Sequence, residues 1–318
     1  MSPKTAEVAA TAPRAGVKSL SIRSAELIAV IGAVLGFSIL VWHHDRVDWW
    51  PGAAWFVGVA AAPLVLRAIE ARLQGNRIAS FVADFAPTGY FFALYFNLNP
   101  VADAVNRGIA DDALIEWDTR LFGESLPVLL DGRFPPILND LFLGSYTTHF
   151  FWPLLLGLVL WFGRKVEAFD EYLTAMLFFV IGNYILYVTV PVMGPRYFQA
   201  ARFDGLVPGL LGIAPWVDGA FRNVDYARDC FPSGHTGFAL LVLVTSFRHV
   251  RWLFWIALPI ELSLIMGTIA GRFHYGTDLL ASVPLLVVSL AVARQLRVHR
   301  PAGFTLTAGE AAPSRVRA

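Results

Sequence analysis

Residues 252–293 read WLFWIALPIELSLIMGTIAGRFHYGTDLLASVPLLVVSLAVA. Two apolar runs, 252–271 and 275–293, flank a short polar junction, and each approaches the roughly 20 residues that an α-helix needs to cross a bilayer. Neither alternates with the period of two that marks a transmembrane barrel strand. Six more apolar runs precede them, at 24–42, 52–69, 80–98, 137–162, 172–192 and 234–248. The last of these is short, since about 15 residues at ~1.5 Å each fall below a hydrocarbon core of ~30 Å. The pattern predicts an all-α, polytopic membrane helix bundle of about eight transmembrane helices. Composition agrees: 56% of the 318 residues are hydrophobic and 15% are charged, against roughly 45–50% and 25% in soluble domains.

Lys+Arg total 25 and Asp+Glu 24, a net charge of +1. That balance excludes a basic nucleic-acid-binding face and an acidic disordered chain. Cys230 is the single cysteine, which excludes an internal disulfide framework and a multi-cysteine metal centre. The basic start precedes an apolar run longer than a signal-peptide core, with no small-residue cleavage site after it, so the first helix is expected to stay uncleaved. Residues 1–23 and 294–318, rich in Ala, Pro, Ser, Thr and Arg, read as disordered cytoplasmic tails. Between them, 24–79 hold two N-terminal transmembrane helices and 80–293 the membrane domain that carries the chemistry.

Orientation follows from the basic residues. With a cytoplasmic N-terminus and eight crossings, 16 of the 25 Lys and Arg residues, from Lys4 to Arg317, lie on inner segments. The inner segments carry 16 basic against 6 acidic residues, and the outer ones 9 against 15. The near-zero total therefore conceals a positive-inside signal. Without the short sixth helix, Arg248, Arg251 and the basic C-terminus would move outside. Eight crossings in a cytoplasmic (inner) membrane, both termini inside, satisfy the rule. Trp42, Trp49, Trp50, Trp152, Trp161 and Trp252 fall near helix ends, where an aromatic belt belongs.

Two long segments, 99–136 and 193–233, then lie outside. They hold many apolar residues, among them Leu121, Phe122, Leu210 and Trp216, and are expected to be ordered and to hug the membrane. Three polar clusters fall at outer helix ends: Gly194-Pro195-Arg196-Tyr197, Phe231-Pro232-Ser233-Gly234-His235 and Arg272-Phe273-His274-Tyr275-Gly276-Thr277-Asp278. His274 and Asp278, four apart, share a helix face. A carboxylate there fixes the imidazole tautomer and leaves the other nitrogen as base or nucleophile, although a structural hydrogen bond at a helix start explains the pair equally well. Ser233 and Gly234 at a helix N-terminus suit an anion; Ser233 alone would also serve as an ordinary cap. Arg196 offers a planar, permanently charged fork for phosphate oxygens, or a snorkelling interfacial arginine. Together these groups suit phosphoryl transfer through a covalent histidine. No acidic cluster of octahedral type and no HExxH motif occurs, so no metal and no other cofactor is implied.

Pro-Ser-Gly-His followed by His-x-x-x-Asp, with an arginine upstream, resembles the type 2 phosphatidic acid phosphatase superfamily. Gly194-Pro195-Arg196-Tyr197-Phe198, Trp117-Asp118-Thr119-Arg120-Leu121-Phe122-Gly123 and Asp84-Phe85-Ala86-Pro87 are most similar to its inositol phosphorylceramide synthase branch. The resemblance covers about residues 80–292. It implies a six-helix catalytic core, His274 as the nucleophile that forms a phosphohistidine, Asp278 as its orienting partner, and His235 as general acid and then base. Arg196, Ser233 and the Gly234 amide would hold the phosphate. The phosphatase pattern has a lysine where Thr189 stands and an arginine where Thr268 stands. Arg272, one turn beyond Thr268, could replace that arginine if the stretch is helical; Arg202, Arg222 and Arg228 are further candidates. The implied activity is that of a metal-independent lipid phosphatase or phosphotransferase on a phospholipid or polyprenyl phosphate at the outer face, or alternatively of a phosphoinositol-type headgroup transferase to a lipid hydroxyl.

Asp84, His149 and Glu261 lie well inside apolar runs and outside the three clusters. Such residues are functional candidates by default. Glu261 is expected to hydrogen-bond between helices or to stay protonated, and Asp84 to pair with an inner-loop arginine. Gly32 and Gly36 form a GxxxG pattern, which can mark a dimer face. A transporter would show an inverted repeat and charges gathered at the midplane; the sequence shows no convincing internal repeat, and its charged residues cluster at one face.

Overall fold

The computed structural model describes residues 22–222 and 228–298. Fourteen α-helices follow in order: α1 Ser24–Trp42, α2 Trp49–Arg72, α3 Arg77–Tyr95, α4 Leu98–Val105, α5 Asp111–Phe122, α6 Leu126–Leu130, α7 Pro136–Tyr146, α8 Phe151–Phe162, α9 Val166–Thr189, α10 Pro195–Phe198, α11 Ile213–Arg222, α12 Gly234–His249, α13 Arg251–Ala270 and α14 Gly276–Val298. No strand occurs among the described residues, and the chain is an all-α polytopic bundle. Among the described residues five helices, α1, α2, α9, α13 and α14, are long and apolar enough to cross a membrane, or six spans if α7 and α8 form one bent span. Large apolar side chains on their outer faces are exposed, Ile31, Val57, Ile256 and Val287 among them, as lipid-facing residues are. Proline inside α2, α3, α13 and α14 fits membrane helices, where neighbours satisfy the freed carbonyls.

The fourth apolar run differs from expectation. Instead of one helix over 137–162, α7 and α8 meet at a bend of 51°. Residues 147–150 form the break; the hydroxyls of Thr147 and Thr148 turn back onto the Gly144 and Ser145 carbonyls at 2.7 Å, competing locally with the helix ladder. α12 spans 16 residues and is short, as its run suggested. The segment 99–136 is ordered and carries most of α4 with α5 and α6, and the described part of 193–233 carries α10 and α11.

The tail boundaries also shift. Arg23, expected in the N-terminal tail, is 2% exposed, and α14 continues past 293 to Val298; 1–21 and 299–318 lie outside the described residues. Arg23 ion-pairs with Asp84, and its Nη1 meets Asp170 at 3.3 Å. Arg67 binds Glu26 at 2.6 Å, Glu70 at 2.6 Å and Asp84 at 3.1 Å. The Trp161 indole donates to Asp84 at 2.9 Å. Asp84 therefore has its arginine partner, and this buried network fixes the relative register of α1, α2, α3 and α9 at one end of the bundle. Close packing fixes it further along. A Cβ on Gly36 would come within 2.5 Å of Phe56, and one on Gly32 within 2.5 Å of Ile181. The GxxxG face is thus spent on α2 and α9 of the same chain. Glu261 is 1% exposed, and its Oε1 has no hydrogen-bond partner, so the expected interhelical bond is not made there.

Removing one member of a buried ion pair costs about 3–5 kcal/mol. Asp84→Ala takes a carboxylate from both arginines, leaving Arg23 with Asp170 and Arg67 with Glu26 and Glu70, and is expected to destabilise the protein by about 3 kcal/mol, read as a lower unfolding midpoint in detergent; an unchanged midpoint would contradict the network's role.

Candidate active site

α5 organises the opposite end. Asp111 and Asp118 are seven apart, two turns along one face, and both are fully buried. Asp118 accepts from the Gly276 amide at 2.9 Å, the Thr277 amide at 2.7 Å and the Thr277 hydroxyl at 2.6 Å, and from Leu126 N–H at 2.9 Å. It supplies from another helix the acceptor that the first amides of α14 lack within their own. Asp111 accepts from Met193 and Gly194 N–H at 2.8 and 2.9 Å, and from the Tyr275 hydroxyl at 2.9 Å. Burial pushes its carboxyl up, and these three donors act against that. Gly194 has φ of 91°, and a Cβ there would sit 2.8 Å from the Phe273 carbonyl; only glycine lets the two segments touch. Residues 229–230 lie alongside 192, with Cys230 N–H donating to the Val192 carbonyl at 3.2 Å.

All three sequence clusters consequently meet. Asp278 Oδ2 lies 3.3 Å from His274 Nδ1, and His274 Nε2 lies 3.4 Å from His235 Nδ1. Asp278 Oδ2 also accepts from Tyr275 N–H at 2.8 Å and from the Cys230 thiol at 2.9 Å. Cys230 Sγ is 3.4 Å from His274 Nδ1, and burial and the nearby carboxylate hold the thiol well above its ordinary value, so it stays a donor. Cys230, His274 and Asp278 present three potential ligand atoms within 4.8 Å, but the thiol–carboxylate hydrogen bond accounts for their closeness. Ser233 caps α12 by accepting from Thr236 N–H at 3.2 Å, while its own N–H donates to the Asp278 carbonyl at 3.1 Å. The two histidine-bearing helix starts are in this way locked to each other. The Gly234 and His235 amides, first in α12, have no carbonyl acceptor within their own helix.

Arg196 and Arg272 line a cavity of about 520 Å³ together with Met193, Tyr197, Phe203 and Asp218. Arg196 pairs with Asp218 at 2.6 Å, donates to the Gly271 carbonyl and lies 4.3 Å above the Phe273 ring. Burial pulls its guanidinium below the ordinary value, and Asp218 opposes that. Its Nε has no partner. Arg272 is not helical: α13 ends at Ala270, and Arg272 has φ of 62°. The condition set for its replacing the missing arginine fails, yet the left-handed turn still brings it to the cavity, where it binds Asp131 at 2.8 Å and the Gly205 carbonyl at 2.9 Å. Arg202 pairs with Glu124 at the surface, Arg228 is drawn to Asp103, and the Arg222 side chain lies outside the described residues.

Sequence reasoning missed Asp111, Asp218 and Asp131, and quoted Asp118 only within a motif. The seven-residue spacing of Asp111 and Asp118 was a usable signal; the arginine partners had none. A family model described as the PAP2 superfamily matches residues 112–292, more than half of the chain. No curated protein and no solved structure matches.

If Asp118 holds the start of α14, Asp118→Ala should raise amide hydrogen exchange across 273–278 and leave later turns of α14 protected. Misplacement of a reacting group by ~1 Å costs about a hundredfold in rate, and turnover should fall by that order. Unchanged exchange at Gly276 and Thr277 would refute the assignment.

Proposed function

Because the chain belongs to the PAP2 superfamily, a family of phosphatase- and phosphotransferase-type lipid enzymes, we propose that it cleaves or transfers a phosphoryl group on a phospholipid or polyprenyl phosphate, at the outer face of a cytoplasmic membrane, through a phosphohistidine on His274. The observation that carries this reading is the relay Asp278–His274–His235. Asp278 Oδ2 occupies the Nδ1 side of His274, which leaves the Nε2 lone pair as the nucleophile, and that atom faces His235.

In the first step His274 Nε2 attacks phosphorus, the bond from phosphorus to the alcohol oxygen breaks, and His235 delivers its proton to that oxygen. In the second, His235 takes a proton from water, the water oxygen attacks phosphorus, and the N–P bond returns its electron pair to Nε2. With an alcohol in place of water the same step yields a new phosphomonoester, or a new phosphodiester where phosphorus still carries a second alcohol group such as inositol. Arg196, Arg272, Ser233 and the Gly234 amide are suited to the phosphate oxygens. An attack distance of about 3–3.5 Å and a proton-transfer contact of about 2.6–3.2 Å cannot both fit between nitrogens 3.4 Å apart. Substrate entry therefore separates the two rings.

Phosphoinositol-type headgroup transfer to a lipid hydroxyl is the second reading. It is favoured by Thr189 and Thr268 standing where the phosphatase pattern has basic residues, and by Asp118, from the segment most like the synthase branch, holding the site together. Product analysis by mass spectrometry separates the two, using purified protein with phosphatidate, a polyprenyl phosphate, or phosphatidylinositol plus ceramide. Free phosphate supports hydrolysis, and a new phospholipid without free phosphate supports transfer. His274→Ala should abolish either product while leaving expression intact, and retained turnover would sink the nucleophile assignment.

A further inference from the structure

The break between α7 and α8 puts a third histidine beside the relay. His149 lies in that break with its ring centroid 4.1 Å from that of His235. Tyr146, three residues earlier, stacks on the same His235 ring at 4.6 Å. Phe150 and Phe238 approach the His149 ring at 4.7 and 5.5 Å, and Phe238 is nearly one turn deeper along α12 than His235. His149 is 8% exposed, and its Nδ1 is buried with no hydrogen-bond partner. An unpaired imidazole nitrogen in an aromatic setting is costly to maintain, and an ionisable residue kept inside a membrane segment calls for a ligand or partner.

We propose that His149 binds the alcohol oxygen of the substrate: the hydroxyl that leaves the lipid phosphate and, in transfer, the hydroxyl that accepts the phosphoryl group. This rests on the phosphohistidine reading above. With phosphorus on His274 and the proton donor at His235, the alcohol oxygen lies on the far side of phosphorus from His274, next to His235. His149 is the buried polar group that adjoins His235 there, and the phenylalanines around it suit the first carbons of a lipid chain. As the P–O bond breaks, negative charge gathers on that oxygen. The Nδ1–H of neutral His149 donates a hydrogen bond to it while His235 supplies the proton, so His149 itself neither gains nor loses one.

The test compares two substrates of the purified full-length protein. Phosphatidate expels an alcohol that needs a hydrogen bond and a proton, whereas p-nitrophenyl phosphate expels a phenolate that needs neither. Removing one such donor costs about a hundredfold. His149→Phe, which keeps the ring, should lower kcat/KM for phosphatidate by about that factor and leave p-nitrophenyl phosphate within a few-fold of wild type. His149→Asn, which returns a polar atom near the Nδ1 position, should recover part of the loss. Equal loss on both substrates, or no loss on either, overturns the role of His149 while the reaction assignment stands. Activity retained by His274→Ala on either substrate overturns the reaction assignment and this inference with it.

Discussion

Two buried carboxylates on one short helix outside the membrane-spanning set hold the site in place. Asp118 accepts four hydrogen bonds, three of them from Gly276 and Thr277. Asp111 accepts three, from the Gly194 segment and from Tyr275. His274 immediately precedes Tyr275, Gly276 and Thr277, which they hold. A helix emerging from lipid has unpaired amides at its N-terminus, and a carboxylate is the strongest acceptor a chain can set against them. The same bonds that satisfy α14 therefore place His274 and Asp278, and α5 turns a requirement of membrane folding into the geometry of the candidate site.

The two ends of the bundle use charge differently. At one end, Arg23 and Arg67 share Glu26, Asp84 and Asp170 in the interior. Each of those arginines pairs with at least two carboxylates, although Arg23 Nε has no hydrogen-bond partner, and such networks specify register more than they add stability. At the other end each arginine of the cavity has one carboxylate partner, Asp218 for Arg196 and Asp131 for Arg272, yet a guanidinium has five donors. Arg196 keeps an unpartnered Nε. The pairs hold the arginines in place, and the spare donors are suited to an anion.

Helices whose hydrophobicity follows directly from the bilayer were legible in the sequence. α1, α2, α9, α13 and α14 lie within a few residues of their apolar runs. So were the histidines, because His274 and Asp278 four apart, and Ser233 before a helix, are local patterns. What was not legible depends on contacts distant in the chain. The bend at 147–150 arises inside an apolar run that hydropathy cannot divide, and it alone brings His149 to His235. Arg272 reached the cavity by a left-handed turn, not by the helix its spacing suggested. Asp218, on α11, and Asp131, just after α6, meet arginines far away in the chain, and no local spacing marks such pairs. Gly32 and Gly36 had the pattern of a dimer face, and only the positions of Phe56 and Ile181 show it packed internally.

The central claim is that phosphorus passes through His274. The most direct measurement is intact-protein and peptide mass spectrometry of His235→Ala after incubation with p-nitrophenyl phosphate and an alkaline quench, because this variant can still lose a leaving group that needs no proton but is slowed in releasing phosphate. The account predicts one phosphoryl group, labile to acid and stable to alkali, on the peptide that contains His274. A phosphoryl group on another residue, or turnover by an enzyme that never acquires one, would contradict it.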